Sequence, residues 1–113
     1  MKFLSKVLQN CAPYTALLND IKGGYLPVSA SGLSNVHKSL ICATLARDTA
    51  KKIVVITPDE ASAVSLINDA VSLGIDAAEF SVRDLCLTDM SGRSREYEHK
   101  RIDTLSKLLD GAF

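Results

Sequence analysis

The sequence predicts an α/β fold of three layers, a mostly parallel sheet with helices flanking it. Three observations carry this reading. Segments of strand character alternate with segments of helical periodicity along the chain. Ile53-Val54-Val55-Ile56 is a continuous β-branched run of the kind found in strands buried on both faces of a parallel sheet. The stretch Gly32 to Ser39, GLSNVHKS, lies between a strand candidate and a helix candidate, where backbone N–H groups at a helix start can cradle an anion.

Residues 2 to 9 and 15 to 22 carry leucines and an isoleucine at helical spacing, broken by Pro13 and ended by Gly23-Gly24. They predict one or two short helices, an N-terminal helical segment over about residues 1 to 24. Tyr25 to Ala30 is the first strand candidate, although Pro27 removes one ladder donor from it. Val36, Leu40, Ile41 and Leu45 predict a helix to about Asp48. Ile53 to Ile56 is the second strand. Thr57-Pro58-Asp59-Glu60 then supplies an N-cap, a proline at the first helical position and an acid behind it. The helix it starts has an apolar stripe of Ala61, Val64, Leu66, Ile67, Val71 and Leu73 and stops at Gly74.

Ile75 to Val82 is a third strand candidate of more mixed composition, and Arg83 to Ser94 a polar connection. A last helix is predicted from about Ser94 through Ile102, Leu105, Leu108 and Leu109 to Gly111. Strand and helix, three times over, is the pattern of a right-handed crossover sheet. After Gly111 only Ala112 and Phe113 remain where another strand is expected. The 113 residues therefore read as one domain, a truncated piece of a larger protein, with an exposed sheet edge or an oligomer as the consequence.

Composition narrows the function classes. Thirteen basic and thirteen acidic residues give no net charge, so bulk electrostatics draw the chain neither to nucleic acid nor to an anionic membrane. Cys11, Cys42 and Cys86 are far apart, odd in number and without a C-x-x-C pair, which predicts reduced, mostly buried thiols in a cytoplasmic protein and no metal site. Lys6 interrupts the N-terminal apolar run before it reaches signal-peptide length, and no stretch approaches the ~20 apolar residues of a membrane span. Leu8-Gln9-Asn10-Cys11 is too polar before the cysteine for a lipoprotein cleavage site.

GLSNVHKS is the segment with chemistry to weigh. Against the phosphate-binding pattern G-x-x-x-x-G-K-[ST] it matches at Gly32, Lys38 and Ser39 and departs at His37, which stands for the second glycine. The position between strand and helix speaks for descent from such a loop. His37 speaks against activity, because glycine there lets the backbone wrap the β-phosphate. An NTPase also needs an acid directly after a second apolar strand, to hold magnesium and orient water. Asp59 and Glu60 follow Ile56 only after Thr57-Pro58, and starting a helix is work enough for them. The stretch thus reads as a decayed phosphate loop at Gly32, His37, Lys38 and Ser39, or as a plain strand-to-helix turn capped by Ser34 or Asn35.

His37 and His99 have no partner at a useful spacing. The run Arg93 to Arg101 alternates in sign, with Glu96 facing Lys100 at i,i+4, and predicts a solvated helix face, with a contact surface for another domain as the rival reading. No Ser-His-Asp set, paired carboxylates or Gly-x-Ser-x-Gly elbow occurs. No acidic cluster sits at the strand ends, as a response-regulator-like domain would require.

Three segments in order, Gly32 to Ser39, Lys52 to Ala61 and Ser94 to Ile102, resemble the N-terminal region of the bacterial transcription-repair coupling factors (Mfd). The likeness spans roughly residues 15 to 111. It implies a partial module similar to the first domain of the excision-repair subunit UvrB, P-loop-NTPase- and helicase-like in shape, with a degenerate Walker A loop. The implied parent is an ATP-dependent DNA translocase that displaces stalled RNA polymerase and recruits UvrA in nucleotide excision repair, with ATP and magnesium bound by a motor further along. The implied role here is a non-catalytic scaffold that contacts UvrA and other domains of the same chain and helps hold the free protein inactive. No catalytic residue, cofactor, metal or direct nucleic-acid contact is expected of these residues, and the inserted domain that makes most UvrA contacts would follow residue 113. The alternative is a nucleotide-binding domain of a helicase-like ATPase whose acidic motif lies beyond residue 113.

Overall fold

Asn35 to Thr49 is the helix around which the chain is arranged. In the computed structural model, which describes residues 2–81 and 94–111, it is the third of five helices: α1 (Lys2–Gln9), α2 (Ala12–Gly23), α3 (Asn35–Thr49), α4 (Glu60–Ser72) and α5 (Ser94–Leu109). α3 packs against α1 and α2 on one side and against α4 on the other. Its sequence shows why it can serve two faces. Asp48 meets α1 and α2, while Ser39, on the opposite side of the helix, reaches α4.

The helices begin and end where local chemistry dictates. Pro13 sits in the first turn of α2, where its missing N–H costs nothing, so it starts that helix and does not merely break the preceding one. At the other end Gly24 takes a left-handed φ of 76°, and the Tyr25 N–H returns to the Asp20 carbonyl at 2.9 Å. α4 starts two residues later than the sequence suggests. Asp59, not Thr57, is its N-cap, with the carboxylate accepting from the Ser62 N–H at 2.7 Å. Pro58 consequently precedes the cap, and the Thr57 hydroxyl donates to the Asp59 carbonyl at 3.0 Å.

The predicted parallel sheet is not there: among the described residues no strand is formed, and the α/β expectation is corrected to an all-helical architecture. The segments predicted as strands, Tyr25 to Ala30, Ile53 to Ile56 and Ile75 to Val82, form no regular pairing among the described residues, Val82 lying outside them. The physical reason is that strand character is only half of a strand. A β-branched residue favours an extended backbone, but a ladder exists only where a neighbour meets every second N–H and C=O. Nor is Ile53–Ile56 buried on both faces: Ile53 is 42%, Val54 88%, Val55 53% and Ile56 94% exposed. That period-two rise and fall is what an extended chain lying on the protein with one side shows.

Few apolar side chains are fully covered, Tyr14 and Ala70 being the ones buried among the described residues. The molecule is elongated, 52 × 26 × 25 Å, with a radius of gyration of 16.5 Å, against about 13 Å for a compact domain of ~100 residues. Cys42 is half-buried, and burial pushes its thiol above the ordinary value, but Cys11 is exposed, contrary to the expectation of buried thiols. Cys86 and the polar connection from Arg83 lie outside the described residues.

Candidate functional site

The GLSNVHKS segment folds as a capped helix start. Gly32 is exposed with a φ of 76°, a backbone that favours glycine, and it turns the chain toward α3. Ser34 caps the helix. Its hydroxyl accepts from the His37 N–H at 3.4 Å and lies 3.0 Å from His37 Nδ1, and its carbonyl accepts from the Lys38 N–H at 3.0 Å. The helix therefore begins at Asn35, inside the stretch that a phosphate loop would keep open. The N–H groups of His37 and Lys38, which would face an anion there, are satisfied by Ser34.

This corrects one step of the sequence argument. His37 needs no glycine geometry, because it sits in the first turn of a helix, and of the segment's residues only Gly32 has positive φ. His37 and Lys38 are exposed, while Ser39 is buried. The Ser39 hydroxyl, whose counterpart in a working loop reaches magnesium, donates to the Leu66 carbonyl of α4 at 3.3 Å. The four positions thus divide in two: Gly32, His37 and Lys38 at the surface, and Ser39 in the α3–α4 contact. Ser39→Ala is expected to lower folding stability by about 1 kcal/mol, measured by urea denaturation, because one buried hydrogen bond is lost.

The acids considered for magnesium are engaged at the start of α4. Hydrogen bonding from Ser62 holds the Asp59 carboxyl below the ordinary aspartate value. Among the described residues no group of three His, Cys, Asp or Glu side chains could hold a metal ion. No helix among them is long and apolar enough to cross a membrane.

The charged run on α5 has two sides. Arg95, Glu96, Glu98, His99 and Lys100 are exposed, as a solvated face should be. Glu96 and Lys100 do not pair; the Lys100 ammonium lies 5.9 Å from the Tyr97 ring centroid instead, and the i,i+4 ion pair of this helix is Asp103–Lys107 at 2.7 Å. Arg101 points the other way. Its guanidinium donates to the Ser81 carbonyl at 2.6 Å and lies 4.2 Å from the Phe80 ring centroid. Thr104 donates to the Glu79 carbonyl at 2.7 Å, and Lys52 reaches the Leu108 carbonyl at 3.0 Å. Arg101, Thr104 and Leu108, at i,i+3 and i,i+7, are the seam that fastens α5 to the chain before it.

A second polar cluster joins three helices. Asp48 of α3 accepts from Tyr14 Oη of α2 at 2.9 Å and from Gln9 Nε2 of α1 at 3.0 and 3.1 Å, beside Arg47 at 3.4 Å. Burial opposes ionisation of Asp48, yet the hydrogen bonds from Gln9 and Tyr14 and the Arg47 charge outweigh it and keep the carboxyl below its ordinary value. Burial, then the hydrogen bond to Asp48, pushes the Tyr14 phenol upward. The cluster borders a cleft of about 370 Å³, also lined by Thr15, Leu18 and Lys22. Nothing in the local pattern announces it, since Gln9 and Tyr14 lie 39 and 34 residues from Asp48.

Comparison with protein-family models, with curated proteins and with solved structures returns no match.

Proposed function

We propose that this chain is a non-catalytic interaction module, the N-terminal scaffold and autoinhibitory part of a transcription-repair coupling factor. Its parent would be the ATP-dependent translocase that displaces stalled RNA polymerase and recruits UvrA. The parent's identity rests on the sequence resemblance over residues 15 to 111. The non-catalytic role has a structural support: the Ser39 hydroxyl donates to the Leu66 carbonyl, and Ser34 accepts from the His37 and Lys38 N–H groups. Ile102, Leu105 and Leu109, at i,i+3 and i,i+7 on α5, are exposed, and suit contact with other domains of the same chain.

A thermal-shift titration with ATP and magnesium tests the role. The expected result is no stabilisation, and none in His37→Gly either. A nucleotide held at ~100 times its dissociation constant would add about 2.7 kcal/mol to stability. Stabilisation of that kind, abolished by Lys38→Ala, would overturn the reading in favour of a nucleotide-binding domain. The parent is tested by the full reading frame, which is expected to encode intact nucleotide motifs downstream; a frame without a motor would remove the coupling-factor assignment.

A further inference from the structure

The segment Lys51 to Glu60, KKIVVITPDE, has a property that neither the helices nor the turn at Gly32 to Ser39 uses: its apolar centre is flanked by opposite charges. Two lysines lead it, two acids close it, and four β-branched apolar residues lie between. Among the described residues, no backbone N–H or C=O from Lys52 to Thr57 has a backbone partner; the chain's last such bond before it is Lys51 N–H to Ala46 at 3.2 Å. No turn or bend interrupts it up to Thr57. Val54 and Ile56, the two most exposed of its apolar residues, share one face, because side chains two apart along an extended chain point the same way.

An apolar segment such as Ile53 to Thr57, with no backbone partner among the described residues, is a template for another strand. We infer that its occupant is the same segment of a second copy, paired antiparallel about a two-fold axis at Val55. In that register Val55 lies opposite Val55, Val54 opposite Ile56, Ile53 opposite Thr57 and Lys51 opposite Asp59. Within the ladder the opposed pairs are then β-branched with β-branched; Lys52 meets Pro58 at its end, and Lys51 and Asp59, cation and anion, flank it. A parallel pairing in register would set Lys51 against Lys51 and Asp59 against Asp59. The charges thus select direction as well as partner. The interface is isologous, so it closes at two copies. Pro58, which has no N–H, ends the ladder before α4 begins.

The surface is small, and the dimer is accordingly concentration-dependent. Sedimentation equilibrium of the intact chain, 12.2 kDa as a monomer, is expected to show monomer–dimer exchange. The double variant Val54→Lys, Ile56→Lys, at two exposed positions, should weaken association at least roughly tenfold, and Lys51→Glu should weaken it too. The register has its own readout. Val55→Cys is expected to cross-link to its twin on mild oxidation, while Lys52→Cys is not, because in this register the two Lys52 positions are about six residues, ~20 Å, apart. The wild-type chain, with its native cysteines, is the control. A chain that stays monomeric up to millimolar concentration overturns the proposal. So does a dimer indifferent to the lysine pair, or one in which Lys52→Cys cross-links as readily as Val55→Cys.

Discussion

Asp48→Ala is expected to remove about 3 kcal/mol of folding stability, because it takes the one acceptor from the buried Tyr14 hydroxyl and unties Gln9 at the same time. The reading is a urea midpoint. Tyr14→Phe removes the donor along with the need for an acceptor and should cost no more than about 1.5 kcal/mol. The double variant should fall well short of the sum, since the two changes act on one bond. Acid supplies an independent check. The Asp48 carboxyl is held below its ordinary value in the folded chain, so its contribution is complete above the unfolded aspartate pKa of about 3.9 and is lost as pH falls through the lower folded value. Asp48→Asn, which cannot ionise, should lack that part of the acid-induced loss. Equal acid slopes in the two proteins would count against the Asp48 cluster as the tie between α1, α2 and α3.

Thr44→Lys should be at least as damaging, at more than about 3 kcal/mol, because it places an unpaired cation where the native side chain is 1% exposed. Thr44→Val separates charge from shape. The Thr44 hydroxyl donates only to the Leu40 carbonyl of its own helix, at 2.8 Å, and a methyl can take its space, so the cost should stay within about 1 kcal/mol. Thermal melts of both variants decide the matter: a tolerated lysine would mean that the surroundings of Thr44 are not closed.

The sequence announces its helices because their signals are local. Apolar spacing over three turns, a capping serine, a proline in the first turn and a glycine at the end all act within a few residues, and α1 to α5 lie close to where these signals put them. Strands have no such autonomy. Ile53 to Ile56 satisfies every compositional test for a buried parallel strand, but what makes it one is a neighbour, and no neighbour is written into those four residues. The site was legible in the same uneven way. The place before the helix offers Ser34 or Asn35 as the cap, and Ser34 takes the role, whereas the hydrogen bond from Ser39 to Leu66 crosses 27 residues. The charged run on α5 reads first as a solvated face because alternation in sign hides direction; Arg101 differs from Lys100 only by the 100° turn that aims it at Phe80.

The arrangement around α3 bears on how the chain is made as well as on how it stands. α1 meets α2, α2 meets α3, and α3 meets α4, while α5 fastens to the carbonyls of residues 79 and 81 and to Lys52. Each of α2, α3, α4 and α5 therefore finds support in residues synthesised before it. A nascent chain emerging from the ribosome can dock each of these four helices on arrival against residues already made.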